Sequence, residues 1–440
     1  MTALPGVSNT LRRLSHTPFA MSPFTVGDYL AERIAQIDIR HHFIVPGDYN
    51  LILLDKLGGH PSLTEIGCTN ELNCSLAAEG YARGHGVSVC IVTYSVGAFS
   101  AFNGIGSAYA ENLPVILISG SPNTNDVSQH ILHHTLGIYD TTYQLEMAKK
   151  ITCCAVRIRQ TAHAPELIDR AIRAALTQRK PVYIEVPTNL AGETCPRPGP
   201  ISSVISAVPS DRHSLDVAVT KAAEYIGSKQ KCVVLVGPKV RRAMAQDALR
   251  QFVEAIGSAV VLQPAAKGTF PEDHAQFCGI FWGQVSTLAA DTIVNWADLI
   301  ICIGAVFTDY STVGWTALPS VPQLFVDLES VTVASKIYCS RVQMSYTIEV
   351  EIHDGSYNCV QNWDYARLVQ AFSTENGNGH ALGLEARTAE ELSNSLERAI
   401  VHTNGPTLID CSLHRDDCSR ELITWGHFVA AANARMPKKE

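Results

Sequence analysis

Two carboxylates and a pair of adjacent histidines are the residues of this sequence best suited to moving protons. Asp48 ends a Pro-Gly-Asp turn after a short apolar stretch, and Glu71 stands at the start of a segment rich in Ala and Leu. His133 and His134 are neighbours in a segment with few charges. Imidazoles exchange protons near neutral pH, and positioned carboxylates serve as general acids or bases. We therefore expect acid–base chemistry from these four side chains.

Each of the two carboxylates also has a purely structural interpretation, which the sequence leaves open. Asn70 is a good helix cap and Gly84 or Gly86 is a good helix stop, so Glu71 falls in a first helical turn. A negative charge there stabilises the helix dipole whether or not it does chemistry. Asp48 could equally be an ordinary residue of a Pro-Gly turn.

The histidine pair and a third carboxylate have similar alternatives. On an extended backbone adjacent side chains point to opposite faces, so we expect the rings of His133 and His134 to face opposite ways. Packing alone seldom requires two adjacent histidines, whereas proton transfer could use either one. Glu349, in the alternating segment Tyr346–Glu351, is a further candidate for acid–base chemistry. An exposed strand is its structural alternative.

Alternating strand and helix patterns indicate an α/β fold around these residues. Thr25 and Asp28 form a capping pair before the first apolar helical stripe. Short apolar strands then alternate with helices, which predicts a parallel sheet covered by helices on both faces. The predicted strands of this first sheet are Phe43–Val45, Val89–Tyr94, Pro114–Ser119 and Val182–Val186.

A second group of strands predicts another sheet of the same kind. Gly237 and Gly304 follow two of these strands, at the position where open parallel sheets have their binding crevices. A nucleotide-binding module is therefore one functional alternative, although the sequence has no G-x-G-x-x-G motif to support it. The predicted strands are Cys232–Val236, Ala259–Leu262, Asp298–Ile303 and Leu324–Leu328.

After Met344 the pattern becomes too sparse for a third complete domain. We expect two helices, near Asp364–Phe372 and Thr388–Ile400, and one strand at Thr407–Leu413. The predicted architecture is two doubly wound parallel-sheet domains followed by the truncated remnant of a third α/β domain. Its parts are an N-terminal extension (1–23), a first domain (24–192), a linker (193–212), a middle domain (213–345) and the remnant (346–440).

Composition excludes several classes of partner. Of the 440 residues 46% are hydrophobic and 17% charged, with a net charge of −8, which argues against a nucleic-acid partner. No apolar run reaches the length of a membrane span. The 13 cysteines form no C-x-x-C pair, so reduced thiols in the cytoplasm are expected. The first 20 residues lack acidic side chains, so an organelle-targeting signal, with Met21 as a second start, stays an alternative.

Several motifs taken together resemble the thiamine diphosphate-dependent 2-oxo acid decarboxylases. The histidine doublet points within that superfamily to the pyruvate and indolepyruvate decarboxylase branch, and the plant and fungal members look most similar. The resemblance extends from about Thr25 through the middle domain and resumes in the remnant. The motifs that carry it are Pro46-Gly47-Asp48-Tyr49-Asn50, Asn70-Glu71-Leu72-Asn73, Glu79-Gly80-Tyr81-Ala82-Arg83 and His133-His134-Thr135-Leu136-Gly137.

This resemblance implies a carboxy-lyase that converts a 2-oxo acid, with pyruvate as the first candidate, to an aldehyde and CO2 without oxidation. It implies that Glu71 hydrogen-bonds a ring nitrogen of thiamine diphosphate, with Gly47 and Glu349 as further cofactor-binding residues. It also implies a site formed between two subunits, and hence a homodimer or homotetramer. The residues implied to manage protons on the substrate are Asp48, His133, His134 and Glu349.

One part of the family pattern is absent. The resemblance implies a Gly-Asp-Gly motif and a later Asn-Asn pair that bind the Mg2+ holding the diphosphate, but this sequence has neither, so it offers none of the family's metal ligands. The resemblance further implies that a segment large enough for three or more strand–helix–strand units is missing between Met344 and Tyr346. Losing contacts of about 1.5–3 kcal/mol each predicts a cofactor affinity lower by several orders of magnitude. The alternative function is an inactive homologue that acts as a binding or regulatory subunit.

Overall fold

The protein forms two compact units, one before and one after residue 210. The computed structural model describes residues 23–126, 129–205, 212–327, 330–333, 336–337, 364–371 and 380–413, and residues 422, 424, 425, 427 and 428. Among the described helices, none is both long enough and apolar enough to cross a membrane.

The first unit is built on the parallel sheet that the sequence predicts. Its strands are β1 (His41–Ile44), β2 (Thr64–Gly67), β3 (Ser88–Val92), β4 (Val115–Ser121), β5 (Cys154–Arg157) and β6 (Val182–Pro187). Within the described residues the order is β2-β1-β3-β4-β6-β5, and every pairing is parallel. The chain order reverses between β1 and β3. Open α/β sheets bind ligands beyond the carboxyl ends of the strands at such a switch point.

Helices cover both faces of this sheet because alternate strand side chains point to opposite sides. Val89 and Ile91 of β3 belong to one buried core, and Cys90 and Val92 belong to the other. The helices of this unit are α1 (Val26–Gln36), α2 (Leu51–Gly58), α3 (Glu71–His85), α4 (Val96–Ala110), α5 (Tyr143–Ile151), α6 (Ala164–Gln178) and α7 (Thr188–Ala191). The first core packs against α1, α2 and α6, and the second against α3 and α4.

The predicted helix signals in this unit are confirmed. Thr25 and Asp28 form a complete capping box at the start of α1. The Asn70 side chain accepts a hydrogen bond of 2.9 Å from the Asn73 N–H at the start of α3. Gly86 ends α3 with a φ of 102°, a left-handed conformation that glycine adopts without strain.

The second unit contains a sheet with more strands than predicted. Its strands are β7 (Cys232–Val236), β8 (Ala259–Leu262), β9 (Phe277–Ile280), β10 (Leu299–Ile303), β11 (Gln323–Val326), β12 (Val331–Val333) and β13 (Lys336–Ile337). Among the described residues their order is β13-β12-β11-β10-β7-β8-β9. Strand β12 pairs antiparallel with both β11 and β13, whereas the other pairings are parallel. At three and two residues, β12 and β13 are too short to show a period in the sequence. Its helices are α8 (Arg212–Gly227), α9 (Lys239–Arg242), α10 (Gln246–Ile256) and α11 (Ala290–Trp296).

The prediction of a single strand after Met344 is wrong. Strand β14 (Leu382–Ala386) pairs in parallel with β15 (Thr407–Cys411), beside helices α12 (Tyr365–Ala371) and α13 (Ala389–Val401). The sequence of β14 contains Gly, Glu and Ala, which are depleted in strands, so its pattern was weak. Gly383 is required there because a Cβ would lie 1.9 Å from the Ala366 carbonyl oxygen.

A histidine is buried inside the first sheet without polar contacts. His42 of β1 has no accessible surface, and neither ring nitrogen has a hydrogen-bond partner among the described residues. Burial lowers the pKa of this imidazole to about 4, and the neighbouring His41 adds to the shift. The folded state therefore holds His42 neutral at pH values where an unfolded chain would protonate it.

We predict that His42 makes the first unit sensitive to acid. Because its pKa is depressed from 6.5 to about 4 by folding, its contribution to stability is complete above pH 6.5 and is lost as pH falls toward 4. The loss amounts to about 3 kcal/mol over that interval. His42→Phe should flatten the urea-midpoint profile between pH 7 and pH 4.5. The matched control is His41→Phe at the exposed neighbouring position, and an equal flattening there would contradict the prediction.

Candidate active site

Asp48 lies just past the carboxyl end of β1, at the switch point of the first sheet. Its turn is fixed by Asn50, a fully buried residue. The Asn50 Oδ1 accepts a hydrogen bond of 2.9 Å from the Gly47 N–H, and its Nδ2 donates one of 3.0 Å to the Val45 carbonyl. These two hydrogen bonds fix the backbone of the turn. The Asp48 side chain itself is 66% exposed.

The two predicted histidines face the same side, so the expectation that their rings point opposite ways is wrong. Their ring centroids lie 4.2 Å apart, and both rings pack edge-on against Tyr49, at 5.9 and 6.0 Å. The reason is local backbone geometry. His134 has a φ of 49°, which turns the chain in a left-handed sense and ends the alternation of an extended segment.

A short hydrogen bond joins the histidine turn to the Asp48 turn. The His133 Nε2 lies 2.6 Å from the Asp48 Oδ2, which is a hydrogen-bonding distance. The Tyr49 hydroxyl donates a hydrogen bond of 3.0 Å to the His133 carbonyl oxygen. Burial raises the pKa of the Tyr49 phenol, and the negative charges of Asp126 and Asp48 add to the shift, so this donor keeps its proton. Polar atoms of Asp48, His133 and His134 converge to within 4.8 Å of one another.

Glu71 is the first residue of α3, and its carboxylate lies against the start of α4. A Cβ placed on Gly97 would be 2.7 Å from the Glu71 Oε1, so only glycine leaves room for this approach. The half-buried carboxylate has no hydrogen-bond or ion-pair partner within the described part of the chain. The N-terminal end of α4 favours a negative charge there, but the acceptor capacity of the carboxylate stays available to a ligand.

Thr93, which sequence reasoning missed, lies between these two parts of the site. A Cβ on Gly47 would be 2.6 Å from the Thr93 Cβ, and one on Gly97 would be 3.0 Å from its Cγ2. Thr93 is buried, and its hydroxyl has no partner among the described residues. A threonine at the end of a strand is common, so nothing in the sequence singles it out.

Gln144 of α5, also missed, fixes the start of α4 from below. Its Oε1 accepts a hydrogen bond of 2.5 Å from the Ser95 N–H. Its Nε2 donates to the Ser119 hydroxyl at 2.9 Å and to the Tyr183 hydroxyl at 2.6 Å. Ser95 has a φ of 54°, an uncommon conformation for a residue with a side chain, so it needs such support.

The same network ends in a buried ion pair. The Tyr183 hydroxyl donates a hydrogen bond of 3.0 Å to the Glu185 Oε2, and the Arg157 Nε lies 2.9 Å from the Glu185 Oε1. Burial raises the pKa of Glu185, while the positive charge of Arg157 opposes that shift. The pair lies beneath the crevice and serves to anchor the strands, because neither charge reaches solvent to any extent.

The structure brings together some of the predicted site residues but not all of them. Asp48, His133 and His134 form one cluster, and Glu71 lies against Gly97 outside that cluster. Glu349 falls outside the described residues. The described residues therefore support a site at the carboxyl edge of the first sheet, with two separate groups of candidate residues.

The loops that follow two strands of the second sheet approach each other closely at Gly237 and Gly304. A Cβ on Gly237 would be 2.2 Å from the Gly304 carbonyl oxygen, and the Lys239 N–H donates a hydrogen bond of 3.2 Å to the same oxygen. The two loops after β7 and β10 thus touch through their backbones. This geometry gives no support to the nucleotide-binding alternative.

Comparisons with known proteins match the chain to thiamine enzymes. Residues 24–142 match the family model of the thiamine pyrophosphate enzyme N-terminal TPP binding domain, and residues 219–347 match that of the central domain. A pyruvate decarboxylase of Neurospora crassa is 50% identical, over 94% of this chain and 98% of its own length. A probable pyruvate decarboxylase of Schizosaccharomyces pombe is 41% identical, over 95% and 98%. Pyruvate decarboxylase 1 of Pisum sativum is 31% identical, over 94% and 95%.

The length of one alignment also shows that this chain lacks residues present in its relative. The alignment with the Neurospora crassa protein has 559 positions, which exceeds the 440 residues of this chain by 119. At least that many positions of the alignment therefore lie opposite gaps in this chain. This agrees with the expectation that a large internal segment is missing relative to the family.

We predict that Gln144→Leu destabilises the first unit by about 2–3 kcal/mol, because it leaves the buried Ser95 N–H without an acceptor. The change should lower the urea midpoint and raise the proteolytic sensitivity of α4. Gln178→Leu, at an exposed position near the end of α6, is the matched control and should stay within about 0.5 kcal/mol of the parent. Equal effects of the two substitutions would show that the Gln144 network carries no special weight.

Proposed function

The chain belongs to the pyruvate decarboxylase family of thiamine pyrophosphate enzymes, and we propose that it decarboxylates pyruvate to acetaldehyde and CO2. The observation that carries this proposal is the 50% identity to a fungal pyruvate decarboxylase across almost its whole length. The inactive-subunit alternative receives no support from the three relatives described above, each of which is named a pyruvate decarboxylase or a probable one.

The first unit suits the ring end of the cofactor. Thiamine diphosphate, when bound, supplies a thiazolium ring that accepts the electron pair released as CO2 leaves. Glu71 would hold the aminopyrimidine ring by sharing a proton with a ring nitrogen, and its carboxylate has no competing partner among the described residues. The hydroxyl of Thr93 is a second unpartnered group beside it. Gly47 would allow close approach of the ligand to the turn after β1.

Asp48, His133 and His134 would manage protons on the substrate. The 2.6 Å bond between Asp48 and His133 keeps one imidazole oriented and lets it pass a proton to or from the carboxylate. The Tyr49 hydroxyl donates a hydrogen bond to the His133 carbonyl, which restrains the backbone that carries the His133 ring. Glu349 belongs to the proposal on family resemblance alone, since it lies outside the described residues.

The diphosphate end of the cofactor is not provided for in the same way. Mg2+ is part of the proposal because a diphosphate needs a counter-ion, yet the sequence lacks the Gly-Asp-Gly and Asn-Asn ligands of the family. We therefore expect weak cofactor binding by this chain. We also propose that the chain forms a homodimer or homotetramer, because the sites of this family form between subunits. The proposed location is the cytoplasm.

The proposal is tested by titrating the chain with thiamine diphosphate and Mg2+ in a calorimeter and measuring acetaldehyde release from pyruvate. Saturable binding together with product formation would support the enzyme. Absence of both would overturn the proposal for this chain and favour the inactive subunit. Sequencing the transcript between the codons for Met344 and Tyr346 shows whether the missing segment belongs to the natural protein.

We predict that Glu71→Gln lowers the rate of acetaldehyde release by a factor of about 10²–10⁴, because the ring nitrogen loses its proton partner. The free energy of unfolding should change by no more than about 1 kcal/mol. Glu166→Gln is the matched control, since Glu166 is an exposed acid in the first turn of α6. If Glu71 only complements the helix dipole, the two variants will behave alike and the activity will survive.

We also predict that Gly97→Ala impairs cofactor binding without unfolding the protein. The new methyl group would stand 2.7 Å from the Glu71 Oε1 and must displace that carboxylate. Gly106→Ala on the same helix meets nothing within 4 Å and should leave binding unchanged while stabilising α4 by about 0.5–1 kcal/mol. Calorimetric titration with thiamine diphosphate and Mg2+ distinguishes the two. Full cofactor affinity in Gly97→Ala would contradict the assigned position of the ring.

A further inference from the structure

The Asp48 cluster contains the donor set of a transition-metal site. Asp48, His133 and His134 each bring a ligand-type atom to within 4.8 Å of the others. Two imidazole nitrogens and one carboxylate oxygen suit Zn2+, Co2+ or similar ions, whereas Mg2+ prefers oxygen ligands in an octahedron. The donors come from two turns 85 residues apart in sequence, so the fold itself assembles them.

We propose that Asp48, His133 and His134 chelate one divalent transition-metal ion such as Zn2+, and that the bound ion blocks the proton-transfer role of these residues. Its ligands differ from the Gly-Asp-Gly and Asn-Asn residues that the family resemblance implies for Mg2+. The block of proton transfer rests on the proposed function, whereas ion binding itself is measurable whether or not the chain decarboxylates pyruvate.

The cluster is close to ligation geometry before any ion arrives. Zinc bonds of about 2.0–2.2 Å to nitrogen and oxygen place neighbouring ligand atoms roughly 3.5 Å apart in a tetrahedron. One pair, His133 Nε2 and Asp48 Oδ2, is already 2.6 Å apart, and the ion would enter between these two atoms. The side chains of His133 and Asp48 are 59% and 66% exposed, so the small adjustment needed meets little packing resistance.

The surrounding residues keep the three possible ligands close together. The left-handed backbone at His134 keeps both imidazoles on one side, with ring centroids 4.2 Å apart. Tyr49 packs edge-on against both rings and donates a hydrogen bond to the His133 carbonyl, which restrains the turn that carries them. Three protein ligands leave a fourth position open to water or to an anionic ligand, as in catalytic zinc sites.

An ion at this position would oppose catalysis. The nitrogen and oxygen lone pairs that bind the metal are the ones that would otherwise accept protons from the substrate. Zinc binding and proton transfer at Asp48 and His133 therefore exclude each other. Inhibition by Zn2+ should persist in excess Mg2+, because magnesium does not compete well for imidazole nitrogen.

The test titrates the full-length chain with Zn2+ by calorimetry and with Co2+ by visible spectroscopy. We expect one site per chain whose cobalt spectrum shows d–d bands without a thiolate charge-transfer band. That band is diagnostic because the 13 cysteines are the main competing ligands. Asp48→Asn, His133→Gln and His134→Gln should each weaken binding at least about tenfold, since even outer-shell partners contribute about 10–100-fold.

The matched control is His60→Gln. His60 also faces a carboxylate, with its Nε2 3.4 Å from the Glu32 Oε2. These two residues do not belong to any group of three possible metal ligands among the described residues. The His60→Gln variant should bind Zn2+ as the parent does. In the parent, a chelator added in excess Mg2+ should reverse any inhibition of aldehyde release by Zn2+. The proposal is overturned if the three site variants bind like the parent, or if the cobalt spectrum reports thiolate ligation only.

Discussion

The geometry of the candidate site depends on the hydrogen bonds of the Gln144 side-chain amide. It holds the Ser95 N–H, and it binds Ser119 of β4 and Tyr183 of β6 at the same time. Three elements are thereby locked beneath the start of α4. Because each partner is buried, none can exchange this bond for one with water. The position of α4, and with it the surface against which Glu71 lies, follows from this one side chain.

The central part of the fold was predictable from sequence because its signals are strong and local. Strands such as β3 and β4 are buried along their whole length and therefore consist of apolar runs. The capping residues Thr25 and Asn70 mark helix starts by direct hydrogen bonds to their own helices. The edge strands β2 and β5 were missed because they are four residues long and only partly buried, so neither period nor hydrophobicity marks them.

The candidate site was predictable in its charged residues and not in its geometry. Asp48, Glu71 and the histidines stand out by chemical type, and family motifs reinforce them. The common orientation of the two imidazoles depends on a left-handed φ at His134, a conformation that only a few per cent of non-glycine residues adopt, so the sequence alone did not predict it. Gln144 acts through partners distant in sequence, such as Tyr183, and Thr93 packs close to Gly47, so their importance is a property of the fold.

The unpaired carboxylate of Glu71 has a physical consequence for the ligand it would accept. A half-buried charge without a partner lowers stability unless a dipole or a ligand compensates it. The start of α4 supplies the dipole, but only because Gly97 places no side chain between them. Thr93 adds a buried hydroxyl that is equally unsatisfied within the described residues. An aromatic ring bearing both a donor and an acceptor nitrogen would satisfy both groups at once. In the proposed function, the two groups that would meet the cofactor ring, Glu71 and Thr93, both belong to the first unit.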